Sequence, residues 1–209
     1  MDGFFITFEG MDGAGKTTQS RYLRDYLERK GYTVVFTREP GGTPIGEQIR
    51  DILLDPSNAG MSEITEALLY AAARAEHVRE LILPSLQKGF IVISDRFLDS
   101  SIAYQGYGRN LGNLVTEWNE AAVQNVSPDV TFYLDLSPEE GISRVEARTD
   151  GKPDRMEQEE ASFKKRVYQG FQSLAKENSG RIVRIDGSMK PEEIRDLIFA
   201  AVDERMLQR

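Results

Sequence analysis

Residues 10–17 read Gly10, Met11, Asp12, Gly13, Ala14, Gly15, Lys16 and Thr17. Glycines at these places let a chain curl until successive backbone N–H groups point into one concavity, a receptor for phosphate oxygens. The lysine that follows supplies a mobile positive charge for β- and γ-phosphates, and the hydroxyl of Thr17 is a ligand for Mg²⁺. The pattern matches the full phosphate-loop spacing. It lies between an apolar run and an amphipathic stretch, the strand-to-helix setting that the motif requires. MgATP is therefore the expected ligand, with Gly10 through Thr17 and the adjoining Thr18 as its contacts. Two carboxylates stand near the expected metal. Asp95 closes an apolar run and can hold Mg²⁺ through water, and Glu9 closes the run that enters the loop.

A second set of residues bears charge of the opposite kind. Arg38, Arg74 and Arg96 follow or punctuate segments expected to reach the carboxyl edge of a sheet, where open α/β sheets bind ligands. Arg148 and Arg155 lie in a charged stretch with few apolar anchors. Together they can clamp two polyphosphate ends in line. That points to a small kinase with a second, mobile substrate. A signalling GTPase would need an Asn-Lys-x-Asp segment, which the sequence lacks.

The elements that must position these groups follow from apolar patterning. Continuous apolar runs at residues 4–9, 33–37, 90–94, 130–136 and 181–185 predict buried strands. Helices are expected over residues 17–30, 46–54, 62–86, 111–124, 138–147, 157–175 and 191–207, with Leu68, Leu69, Leu81 and Ile82 facing a core and Pro84 kinking or ending the third. Strands alternating with helices make a single α/β domain spanning residues 1–209. A mobile lid is expected at about residues 144–156.

Composition narrows the classes further. With 209 residues, 40% apolar and 29% charged, the chain has the make-up of one soluble domain. A net charge of −8 disfavours a nucleic acid polymer or an anionic membrane as partner. There is no cysteine, and His77 is the single histidine, which excludes thiolate and multi-histidine metal sites. Apolar runs fall far short of the roughly 20 residues that span a bilayer, and the first residues lack a signal-peptide pattern, so a cytoplasmic location is expected.

The whole chain resembles the bacterial thymidylate kinases. The segments FEGMDGAGKTT, REPGGT, the AAAR ending at Arg74, DRFLDSSIAYQG from Asp95, Asp154-Arg155-Met156-Glu157 and Ile185-Asp186-Gly187 match family signatures in order. The resemblance implies a phosphate-loop NTPase fold of three layers, a five-stranded parallel sheet flanked by helices. It also implies transfer of a phosphoryl group from MgATP to thymidine 5′-monophosphate (dTMP) and assembly as a homodimer, for which the helix at 62–86 is the expected surface. The alternatives are a kinase for another nucleoside monophosphate and a non-catalytic ATP-binding regulatory module.

The resemblance also implies roles. Asp12 faces the acceptor and its sugar hydroxyl. Arg38 and Arg96 contact the acceptor phosphate, with Glu39 on metal-bound water or holding Arg38. Tyr70 stacks on thymine where the family commonly has Phe, and Arg74, four residues on, meets a base carbonyl. Ser100, Ser101, Tyr104 and Gln105 surround the deoxynucleoside, with Ser101 at the base edge and Tyr104 a wall at the 2′ position. The loop carries no arginine, so a lid residue is expected to supply charge to the transferred group: Arg148 first, with Lys152 or Arg155 as alternatives. Arg144 is expected on adenine, beside Asp186, Gly187 and Ser188.

Overall fold

Phe4–Glu9 forms strand β1, buried along its whole length. The computed structural model describes residues 3–147 and 153–207. Four further strands, β2 (Val34–Arg38), β3 (Ile91–Asp95), β4 (Val130–Asp135) and β5 (Ile182–Asp186), join β1 in one sheet of order β2-β3-β1-β4-β5. Every pairing is parallel, with Phe4 opposite Ile91 and Ile6 opposite Val130. Parallel strands need crossovers, and helices α1 (Lys16–Arg29), α2 (Pro44–Leu54), α3 (Glu63–His77), α4 (Leu83–Gln87), α5 (Leu98–Ser101), α6 (Leu114–Val123), α7 (Pro138–Glu146), α8 (Ala161–Glu177) and α9 (Pro191–Leu207) lie in them and after β5.

Strand pleating divides the core. Phe4, Ile6 and Phe8 pack on one face with Leu23 and Leu27 of α1 and Ile194, Ile198 and Val202 of α9. Phe5 points the other way, against Val78, Ile82 and Phe97. By the same alternation Glu9 is delivered to the Phe97 side, at the carboxyl end of β1. Farther along that face, Tyr104, Tyr133, Phe163, Val167 and Phe171 form a third cluster. The chain leaves β1 for the outer strand β2, returns through β3 and then crosses to β4, so the connections part at the carboxyl end of β1. Ligand crevices form at such switch points.

Two expected helices and one expected core residue differ. The predicted helix at 62–86 is broken by a widened turn, Val78–Ile82, in which Leu83 N–H reaches back five residues to Val78 O. Pro84 has no N–H to continue the regular ladder, and the wider turn admits it. Ser85 Oγ then donates to Leu81 O at 2.6 Å. Leu68, expected in the core, is 47% exposed beside Ile64 at 52%. Residues 157–160 are not helical, because Asp154 Oδ1 accepts from the N–H groups of Met156 and Glu157 and folds that segment as a turn before α8.

Candidate active site

The loop between β1 and α1 has the conformation that its glycines predict. Gly10 has φ 136° and Gly13 φ 83°. A Cβ on Gly10 would stand 2.5 Å from Leu134 O, and one on Gly13 would stand 2.6 Å from Gly141 O, so side chains are excluded at both. Lys16 opens α1 and folds back over the loop, its Nζ donating to Gly10 O at 3.1 Å and Met11 O at 2.9 Å. Burial and the nearby Arg96 charge lower its pKa to about 8, against the pull of Asp12, Asp95 and Glu9. Thr17 Oγ1 donates to Asp95 Oδ2 at 2.6 Å, joining loop and third strand. Thr18, on the exposed side, donates its N–H to Gly15 O at 3.1 Å.

Arg96 connects this loop to a neighbouring cavity. Its Nη2 lies 2.6 Å from Asp12 Oδ1 and 3.2 Å from Tyr104 Oη, and its Nη1 donates to Gly10 O at 3.0 Å and Ser100 Oγ at 2.9 Å. Arg96 adopts φ 75°, a region costly for a side-chain-bearing residue by about 1–3 kcal/mol. The turn directs the guanidinium toward the loop instead of along the strand. Burial disfavours the Asp12 carboxylate, but Arg96 and Lys16 outweigh it and hold the pKa at about 2. Behind Arg96, Glu9 accepts from Phe97 N–H at 2.8 Å and Ser100 Oγ at 2.5 Å. Burial and the charge of Asp99 raise the Glu9 pKa to about 8.

The cavity is lined by Asp12, Tyr70, Arg74, Arg96, Ser100, Ser101, Tyr104 and Gln105, all named from sequence. Arg38 is not among its lining residues. It is 53% exposed and pairs with Glu47 at 2.7 Å. Arg50 lines the cavity, with Nη1 on Pro40 O at 2.9 Å. Arg74 is committed inside the wall. Its Nε donates to Glu39 Oε2 at 2.8 Å, its Nη1 to Ser101 Oγ at 3.0 Å and Asn119 Oδ1 at 2.5 Å, and its Nη2 to Phe97 O at 3.0 Å. Glu39 holds Arg74 and not Arg38, and its other oxygen lies 2.9 Å from His77 Nδ1. The lone histidine is thereby a buried brace, with Nε2 2.7 Å from Thr37 Oγ1.

On the far side of the loop, Arg144 Nη1 donates to Gly187 O at 3.1 Å and to Gly13 O at 3.4 Å, joining the phosphate loop to the turn after β5. Asp186 caps that turn by accepting from Ser188 N–H at 2.8 Å and Ser188 Oγ at 2.7 Å. Arg148 and Lys152 lie outside the described residues. Arg155 is buried, with Nε on Leu53 O at 2.6 Å and Nη1 on Glu66 Oε2 at 2.7 Å. Sequence reasoning missed Arg50, Leu54, Asp154 and Met156 in the cavity wall. Asp154 and Met156 belonged to a quoted motif without a role. Arg50 had no local signal, being one more arginine on an amphipathic helix.

A parallel sheet whose central strand runs into a glycine-rich phosphate loop, with a polar cavity sharing Asp12 and Arg96, defines a phosphate-loop nucleotide-binding protein with a second ligand chamber. The family model for thymidylate kinase matches residues 8–198. The chain is 48% identical to thymidylate kinase of Lactobacillus helveticus, over 99% of this chain and 98% of that one. It is 50% identical to that of a Thermoanaerobacter species, over 90% and 91%. The crystal structure of thymidylate kinase from Ehrlichia chaffeensis superposes with a TM-score of 0.78 at 37% identity, covering 97% of this chain and 99% of that one. The chain belongs to the thymidylate kinase family.

Proposed function

We propose that this chain transfers the γ-phosphoryl group of ATP to dTMP, giving dTDP and ADP, by direct in-line displacement. The observation that carries the reading is the Asp12–Arg96 pair, because one ion pair belongs to both the phosphate loop and the cavity. A triphosphate seated on the loop therefore ends beside whatever the cavity holds. Family membership makes dTMP the acceptor.

Each wall residue has a matching task. Arg96 and Arg50 supply charge for the acceptor phosphate, and Arg38 would join them only by leaving Glu47. Tyr70 offers a ring face to the base and Ser101 a hydroxyl to its edge, while Arg74 braces that wall. Tyr104, buried and bonded to Arg96 and Asp12, stands where a ribose 2′-hydroxyl would need room. An acceptor phosphate oxygen is largely ionised near neutral pH, since its second pKa is about 6. No protein base is needed for the attack, and the chemistry rests on positioning and charge. Displacement by loop-bound phosphates of the carbonyls that Lys16 now holds would turn its ammonium onto the developing charge. Arg144 and the Asp186–Gly187 turn suit the adenine end, with Arg148 proposed at the transferred group.

Both oxygens of Glu9 are taken by Phe97 N–H and Ser100 Oγ, which leaves Thr17 and Asp95 to fit a bound Mg²⁺. They are hard oxygen donors, and no group of three or more His, Cys, Asp or Glu side chains forms a protein cage among the described residues. Mg²⁺ is held in this way, by few protein oxygens with waters and phosphates completing its shell. When bound it neutralises phosphate charge.

A homodimer and a cytoplasmic location complete the reading. Ile64 and Leu68, one turn apart, make an exposed apolar stripe on α3, and α2 also exposes Ile45 and Ile52. Among the described residues, no helix is long and apolar enough to cross a membrane.

The test is an acceptor panel. With ATP and Mg²⁺, dTMP is expected to be phosphorylated well ahead of dUMP and the ribonucleotides. Equal rates for several monophosphates would leave a broader nucleotide kinase, and product from none would leave an ATP-binding module.

A further inference from the structure

Glu66 lies one helical turn before Tyr70 and two before Arg74, on the same face of α3, and is fully buried. Its role is not explained by the site above. Oε1 accepts from Gln105 Nε2 at 2.9 Å and Arg109 Nε at 3.1 Å, while Oε2 accepts from Arg109 Nη2 at 2.8 Å and Arg155 Nη1 at 2.7 Å. Arg109 is balanced separately by Glu159 and lies over the Phe163 ring at 4.4 Å. Among the described residues, Arg155 has no such second carboxylate. Its Nε is on Leu53 O, its backbone N–H is on Leu54 O at 3.1 Å, and its Nη2 is buried without a protein partner. Among the described residues, Glu66 is the carboxylate that pairs with this guanidinium.

The residues on either side of Arg155, Asp154 and Met156, both line the acceptor cavity, and so do Leu54 and Gln105. One carboxylate thus ties together parts of the cavity wall contributed by α2, by the turn around Ile102–Gly108 and by the segment before α8.

We propose that Glu66 is a positioning residue for the acceptor nucleotide, fixing Gln105 directly and Asp154 and Met156 through Arg155. The proposal rests on the reading of this cavity as the dTMP site. It predicts a defect much larger for the acceptor than for ATP, since the side chains bonded to Glu66 are Gln105, Arg109 and Arg155, none in the phosphate loop, which meets this region through the packing of Met11 in the same apolar cluster as Met156.

The experiment measures both KM values, kcat and thermal stability. Glu66→Gln keeps the shape but removes the charge, and should raise KM for dTMP about tenfold while KM for ATP stays within about twofold. The double variant Glu66→Gln/Arg155→Met removes both buried charges. It should recover stability relative to Glu66→Gln yet keep the raised KM for dTMP, and it decides the matter if the single variant does not fold. Arg155→Lys, which retains the charge, should lie closer to wild type in KM than Arg155→Met. An unchanged dTMP KM in a folded variant overturns the proposal, as do parallel rises in both KM values or a double variant that recovers KM together with stability. Wild-type protein that makes no dTDP overturns the kinase reading and this proposal with it. An active wild type with unmoved variants overturns this proposal alone.

Discussion

Arg96 Nη2 stands 2.6 Å from Asp12 Oδ1, a contact between the end of the third strand and the middle of the phosphate loop, 84 positions apart in the chain. The pair brings a fork of donors to the boundary between the two chambers. In the proposed transfer, a guanidinium so placed would meet charge that grows as the phosphoryl group moves. Arg96→Ala is expected to lower kcat by about 10²–10³-fold in a steady-state assay. Arg96→Lys should recover only part of this, because an ammonium cannot span Asp12, Gly10 O and Ser100 together.

Thr17 and Asp95 make a comparable bridge on the donor side. Thr17→Val removes the hydroxyl with little change in volume. It should raise KM for MgATP about tenfold, in line with the loss of one charge-assisted bond, and leave KM for dTMP nearly unchanged. The two KM values measured by saturation kinetics check this.

The buried Glu39–Arg74 pair bears on stability. Arg74 is 1% exposed, and Glu39 is its only carboxylate partner among the described contacts. Glu39→Gln leaves that charge uncompensated and should cost about 3–5 kcal/mol in urea unfolding.

Two groups set opposite pH trends. Burial and Asp99 raise the folded-state pKa of Glu9 from 4.5 to about 8, so between these values the folded protein binds the extra proton and stability falls as pH rises. Burial and Arg96 lower Lys16 from 10.5 to about 8, so above pH 8 the unfolded chain binds the extra proton and stability climbs. Together these groups place a minimum near pH 8. Melting temperatures taken across pH 5–10 without nucleotide should show the fall below pH 8 flattened in Glu9→Gln and the rise above it flattened in Lys16→Met.

Much of this was legible because its signals are local. The phosphate loop needs glycines at fixed offsets, and Gly10 and Gly13 are indeed where the backbone leaves no room for a side chain. The five strands were legible because a strand buried on both faces, such as β1, is a continuous apolar run. The long-range pairings were not. Nothing near Glu66 announces Arg155, 89 positions away, and nothing near Arg50 separates it from a surface arginine. Leu68 fits a core stripe by spacing, yet it faces outward with Ile64, because a helix bearing two apolar faces does not reveal which one the same chain covers. Motif order placed Tyr70, Ser101 and Tyr104 around one cavity but could not foresee that Arg74 would be spent on Glu39, Ser101 and Asn119 within its wall.

That outward stripe gives a further outcome. Leu68→Arg should leave the monomer folded and shift the protein to monomers in sedimentation at micromolar concentration. Unchanged mass would remove α3 from any subunit contact.

The facing of two nucleotides across Asp12 and Arg96 is tested most directly by a ligand that joins them, adenosine and thymidine linked 5′ to 5′ through five phosphates. If the loop and the cavity hold both ends at once, titration should give an affinity at least about 100-fold above that of ATP or dTMP alone, with both nucleotides competing. An affinity no better than that of one nucleotide, or competition by only one of them, would contradict the shared wall.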